Sequence, residues 1–106
     1  MKDLPTLESK RMNLHTVLTG LMDKKQVHYQ PDENIKLNYP CMLYMFDKVN
    51  PIHANNNVYF QTYKFTITLI SNDPTDSLFD TLNKLFTFEN QYIADDLTHS
   101  VFTTTF

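Results

Sequence analysis

Four histidines and a single cysteine are the side chains with most chemistry to offer in this 106-residue chain, so their spacing is the first question. A cysteine nucleophile needs a paired base and surroundings that favour the thiolate. Cys41 instead heads an apolar run, Cys41-Met42-Leu43-Tyr44-Met45-Phe46, where a free thiol behaves as a small hydrophobe. His28 is too far along the chain to imply a pair with it. His15 adjoins the apolar stripe of a helical segment, the usual place of a partly packed imidazole. The segment Asp95-Asp96-Leu97-Thr98-His99 brings carboxylates and imidazole within a few residues and is the best metal candidate. Zinc takes three or four fixed ligands at recognisable spacing, and no partner set accompanies these. A turn in which Asp95 or Asp96 satisfies local N–H groups is the expected role. Asp76 and Asp80 stand one helical turn apart, as on a solvated helix face; acid–base work would need burial to separate their pKa values. With Gly20 as the only glycine, no glycine-rich phosphate loop can form. The expectation is a protein that is not an enzyme, with no catalytic, cofactor-binding or metal-binding residues.

Periodicity outlines the elements that carry these residues. Leu4, Leu7, Leu14, Val17, Leu18 and Leu21 recur at helical spacing, interrupted by Lys10 and Arg11, and predict a helix over 6–22. Asp3 or Thr6 would cap it, Lys24 and Lys25 suit its C-terminal dipole, and Gly20 either weakens its last turn or ends it. Residues 27–40, with Pro31, Pro40 and Asp32-Glu33-Asn34, read as extended and irregular. The run Cys41–Phe46 predicts a short strand covered on both faces. Asp47 to Asn57, with Pro51 and three consecutive asparagines, predicts a loop. From Val58 to Ile70 apolar and polar residues alternate: Tyr59, Gln61, Tyr63, Phe65, Ile67 and Leu69 against Phe60, Thr62, Lys64, Thr66 and Thr68. That is a strand with one buried face. Asp73-Pro74 reads as a cap and first turn, followed by a stripe of Leu78, Phe79, Leu82, Leu85 and Phe86. Tyr92-Ile93 and His99 to Phe106 read as extended. The fold class predicted is α+β: one domain over 1–106, a small mainly antiparallel sheet flanked by two helices in the order helix, strands, helix, strands.

Composition bounds the partners. Hydrophobic residues make up 42% of the chain and aromatics 13%, enough for an ordered core. Nine basic and twelve acidic side chains give −3, against a broadly basic nucleic-acid binder. The imbalance is local: residues 1–36 hold six basic and five acidic groups, residues 37–106 three and seven, so the second part is net −4. One cysteine, no apolar run of membrane length and no apolar signal core fit a soluble chain in a reducing compartment. Phe60, Tyr92, Phe102 and Phe106 exceed the evident needs of one thin core. They pack under helices and loops, or some of them form a subunit interface, where aromatics are enriched. A half-buried sheet also offers an edge to partner strands.

From Val27 onward the chain resembles small phage proteins of the head–tail junction, the tail terminator or tail completion family. The resemblance runs through Tyr29-Gln30-Pro31, Leu37-Asn38-Tyr39-Pro40-Cys41 and His53-Ala54-Asn55-Asn56. It continues through Tyr63-Lys64-Phe65-Thr66-Ile67-Thr68-Leu69-Ile70 and Asp73-Pro74, then Phe88, Tyr92-Ile93-Ala94-Asp95-Asp96-Leu97, His99 and Val101-Phe102. Relatives tend to have Ala-Asp-Asn at Ala54-Asn55-Asn56 and basic residues at Glu89-Asn90-Gln91. The resemblance implies a virion structural protein, made in the host cytoplasm, that caps the tail tube and joins it to the head connector. It implies a homo-oligomeric ring, typically a hexamer, with the tail tube protein and head connector protein as partners. DNA would pass through without specific binding, and no membrane is involved.

On that footing Pro51, Asn55, Asn56, Asn57, Phe102 and Phe106 are the expected interface residues, the Asp47–Asn57 segment meeting a neighbouring ring. Asp76, Asp80, Asp95 and Asp96 are the expected channel-facing acids, repelling DNA. The alternative is a small non-enzymatic adaptor that binds a partner protein through its sheet edge; a metal enzyme or hydrolase is the third reading.

Overall fold

The computed structural model describes residues 7–22, 26–30, 39–54, 57–72 and 77–105, and over 52–54 and 57–61 the backbone alone. Asp3, Thr6, Lys24, Lys25, the Pro31–Asn34 run, Asn55, Asn56, Asp73, Pro74, Asp76 and Phe106 lie outside the described residues.

Helical periodicity builds α1 (Leu7–Leu21). Leu14 and Leu18, one turn apart, are fully buried, and Leu7, Leu21 and Met22 pack around the same core. Val17, expected in this stripe, is 39% exposed. The seam runs through 7, 11, 14, 18 and 21, which leaves Val17 about 100° away from Leu18. Arg11 is therefore a rung of the seam and not an interruption. Its guanidinium lies 4.9 Å over the Tyr29 ring while Nη2 donates to Glu8 Oε1 at 2.6 Å. Stacking lets a charge sit at the edge of an apolar contact with its head still wet. Gly20 lies within the helix, so it weakens the last turn and does not end it.

Five strands form one sheet in the order β1-β2-β3-β5-β4. They are β1 (Val27–Tyr29), β2 (Cys41–Ala54), β3 (Asn57–Ser71), β4 (Thr87–Ala94) and β5 (Leu97–Thr105). Only β1–β2 is parallel; the other pairs are antiparallel. A second helix, α2 (Ser77–Leu85), precedes β4. This is the α+β arrangement that the sequence order implies, a mostly antiparallel sheet flanked by helices.

Strand alternation decides which side the helices cover. Met42, Tyr44, Phe65, Ile67, Leu69 and Phe102 point to the side holding Leu14, Leu18 and Leu82, and together they form the core. Thr62, Lys64, Thr66 and Thr68 point the other way and are half-buried, as the alternation in β3 requires. Leu43 and Met45 share that second side, and Met45 is 49% exposed, so β2 is covered on one face there, not on both.

The expected loop from Asp47 to Asn57 is strand. β2 continues from Phe46 to Ala54 and pairs with β3 as far as Asn57. Irregularities at Phe46/Lys48 and Ile52/His53 take up the extra residues. Among the described residues this length of β2 is an edge, where Pro51's missing N–H leaves no ladder bond unmade.

At the other end, Asp95 (φ 52°) and Asp96 (φ 63°) close the β4–β5 hairpin between the paired Ala94 and Leu97. Two successive positive φ values define the two-residue type I′ turn, whose twist matches its strands. The expected turn is thus present.

Candidate assembly interface

The long axis of the molecule is the β2–β3 hairpin. Fifteen residues of β3 span about 50 Å at strand rise, matching the longest extent of 51 Å against 24 and 23 Å across. A radius of gyration of 15.4 Å exceeds the ~13 Å expected of a compact chain of this length. The third strand stops early. β5 pairs with β3 from Ser71 only to Lys64, and β1 pairs with β2 only from Met42 to Tyr44. Beyond those points, among the described residues, β2 and β3 continue as a two-stranded arm, tied near its root by Lys64 Nζ to Asp47 Oδ2 at 3.6 Å. An isolated two-stranded ribbon is marginally stable in water, so an arm of this length is a segment that gains from a third partner.

The far edge of the sheet is β4, and it is exposed along almost its whole length. Phe88 is 40% exposed, Tyr92 47% and Ile93 76%, with Leu85 at 52% just before the strand. Gln91 Nε2 to Ser100 Oγ (2.9 Å) and Thr103 Oγ1 to Glu89 Oε1 (2.9 Å) hold β4 onto β5. Tyr92 stacks on His99 at 4.8 Å and 12°, while His99 Nδ1 donates to the Leu97 carbonyl at 3.2 Å. Both rings border an open groove of about 610 Å³ on the uncovered side of the sheet, with Leu43, Met45, Thr66 and Thr68.

The titratable groups read as structural. His15 Nδ1 is hydrogen-bonded to the Tyr44 hydroxyl at 2.7 Å beneath α1, the partly packed position its spacing suggests. Burial pushes the Tyr44 hydroxyl pKa up, with Arg11 opposing. Cys41 is fully buried and burial alone pushes its thiol up to about 11, far from the thiolate a nucleophile needs. Among the described residues no group of three or more His, Cys, Asp or Glu is placed to hold a metal ion, and no helix is long and apolar enough to cross a membrane.

Of the expected interface residues, Pro51 is exposed on the arm and the backbone of Asn57 lies in the arm at the start of β3. Phe102 is not a surface residue. It is fully buried, its ring 5.6 Å from Phe79 and 5.7 Å from Phe88, because β5 is an inner strand whose even-numbered residues face α2. Of the expected channel acids, Asp80 is exposed on α2 and Asp95 and Asp96 are exposed in the hairpin turn. The exposed β4 edge was foreshadowed only by Tyr92 as a surplus aromatic; nothing in the sequence pattern marks it as an outer strand. No family model matches the chain, and no curated protein matches it.

Proposed function

We propose that this chain is a structural assembly protein of a tailed-phage virion, one that closes into a ring capping the tail tube and joining it to the head connector. The observation that carries the reading is the arm beyond Lys64 and Phe46, which among the described residues has two strands and no third. Such an arm is poorly suited to a free monomer and well suited to a subunit that lies against a neighbour. The resemblance of residues 27–102 to head–tail junction proteins supplies the setting. An exposed β4 edge also favours the adaptor reading, in which a different protein adds its strand. Native mass measured across protein concentration separates the two: six copies of 12.5 kDa give a species near 75 kDa, whereas an adaptor stays monomeric and forms a one-to-one complex. In the phage that encodes it, interrupting the gene should leave filled heads and finished tails unjoined. Joined, infectious particles without the protein would refute the junction role.

A further inference from the structure

We propose that copies of this chain join by strand addition, the arm's β3 edge in one copy pairing with the β4 edge of the next. The inference rests on the ring reading and names its joint. Among the described residues the sheet presents four lengths of unpaired strand edge: the outer sides of β1 and β4, β2 beyond Phe46, and β3 over 57–62. Two of them are protected. β1 is only three residues long. The β2 edge is closed at its root, where Gln30 Oε1 accepts the Phe46 N–H at 3.2 Å, and farther out it carries a bulge at Asp47, then Lys48 and Pro51. Short strands, bulges, lysine and proline are the devices by which sheets prevent edge-to-edge pairing.

The other two edges carry fewer of these devices. Residues 57–62 and 87–94 contain no proline, lysine or arginine, and each holds a single bulge, with Tyr59 the extra residue in β3 and Glu89 the extra residue in β4. Their lengths suit each other, six residues against eight, about 20 and 26 Å at strand rise. Their charges are opposite. The arm over 47–64 carries Asp47, Lys48 and Lys64, net +1, and Asp47 is engaged by Lys64. The β4–β5 hairpin over 87–105 carries Glu89, Asp95 and Asp96 with no lysine or arginine, net −3. Two arms or two hairpins brought together repel, whereas an arm and a hairpin attract, so charge selects the unlike pairing. Because the two edges are different surfaces of one subunit, their pairing is head-to-tail and generates a ring or an open filament.

Two measurements on the full chain test this. Ile93→Lys puts a charge on the β4 edge at a side chain already 76% exposed, which spares the fold. It should raise the concentration needed for assembly at least about tenfold, with the urea midpoint of the monomer unchanged. Separately, in a Cys41→Ala background, single cysteines at 59, 60 or 61 are mixed with single cysteines at 90, 91 or 92 and oxidised. Disulfides between arm and β4 copies, with none between two arms, are expected. An oligomer that Ile93→Lys leaves intact and that yields no arm–β4 disulfide overturns the joint while leaving the ring reading in place. A wild-type chain that stays monomeric at every concentration, alone and with isolated tails, overturns both.

Discussion

Replacing Phe102 by alanine separates a core residue from an interface residue. The side chain is fully buried between β3, β4 and α2, with Ile67 and Phe88 beside it in register and Phe79 across from it at 5.6 Å. Burying a phenylalanine contributes about 1.5–3 kcal/mol, and the cavity left by truncation raises the total loss to about 3–5 kcal/mol. Three elements converge on the site, so it cannot collapse easily, and the expected loss is near 4 kcal/mol. Set against the ~5–15 kcal/mol stability of a domain this size, the loss leaves about 1–11 kcal/mol, so most molecules stay folded in water and the change is read in the urea midpoint. With a urea slope of ~1.5 kcal/mol/M, the midpoint falls by about 2.7 M. The assay is urea unfolding followed by far-UV circular dichroism at two widely separated protein concentrations. Phe88→Ala, at a ring 40% exposed in the same cluster, should cost about half as much. If Phe102→Ala costs less than about 1 kcal/mol, or if its cost is seen only at the higher protein concentration, where copies assemble, the core assignment of the ring is wrong.

Three further outcomes follow from local geometry. Gly20→Ala should add about 0.5–1 kcal/mol by urea unfolding, because Gly20 lies inside α1 and a Cβ there would meet nothing within 4 Å; a loss of stability would show that the helix ends before it. Asp96→Gly should add about 1 kcal/mol, since φ of 63° strains a residue with a side chain and favours glycine; an unchanged midpoint would argue against the type I′ turn. For Cys41, burial pushes the thiol from 9.0 up to about 11. Both states hold the proton below pH 9, and between pH 9 and 11 the unfolded chain releases it first, so stability falls as pH rises through that window. Cys41→Ala should make the fall shallower by its own share; parallel curves for the two proteins would refute a buried thiol.

Much of the fold was legible because its signals are local. The i, i+3, i+4 stripe of Leu14 and Leu18 and the alternation from Tyr63 to Leu69 each report one buried face, and both faces are where those patterns put them. Asp95-Asp96 was legible as a turn from residue type alone. The misreadings come from non-local pairing. Pro51 argues for a loop when only neighbours in sequence are considered, yet on an open edge it costs no hydrogen bond. Phe102 looks like a surplus aromatic unless β5 is known to lie between β3 and β4, which no periodicity states. Arg11 looks like a break in the stripe because its partner ring, Tyr29, arrives from another strand. The candidate interface suffers most, because an edge strand is defined by what fails to pair with it.

The inner position of β5 has a consequence for how the chain reaches its folded state. The β4–β5 hairpin is local, closed by a two-residue turn, and such units form in about 1–10 μs. Its docking along β3 joins residues far apart in sequence and is the slower event. Until it occurs, the β3 edge that β5 will cover has no partner, while the hairpin waits with both of its own edges open. Intermediates of this kind aggregate in proportion to how freely they meet. Asp95 and Asp96, exposed at the turn, would repel the same pair on a second hairpin brought alongside, as flanking charges do beside strand-forming segments. Asp96→Gly, which relieves backbone strain in the finished protein, should for that reason lower the yield of refolding at high protein concentration.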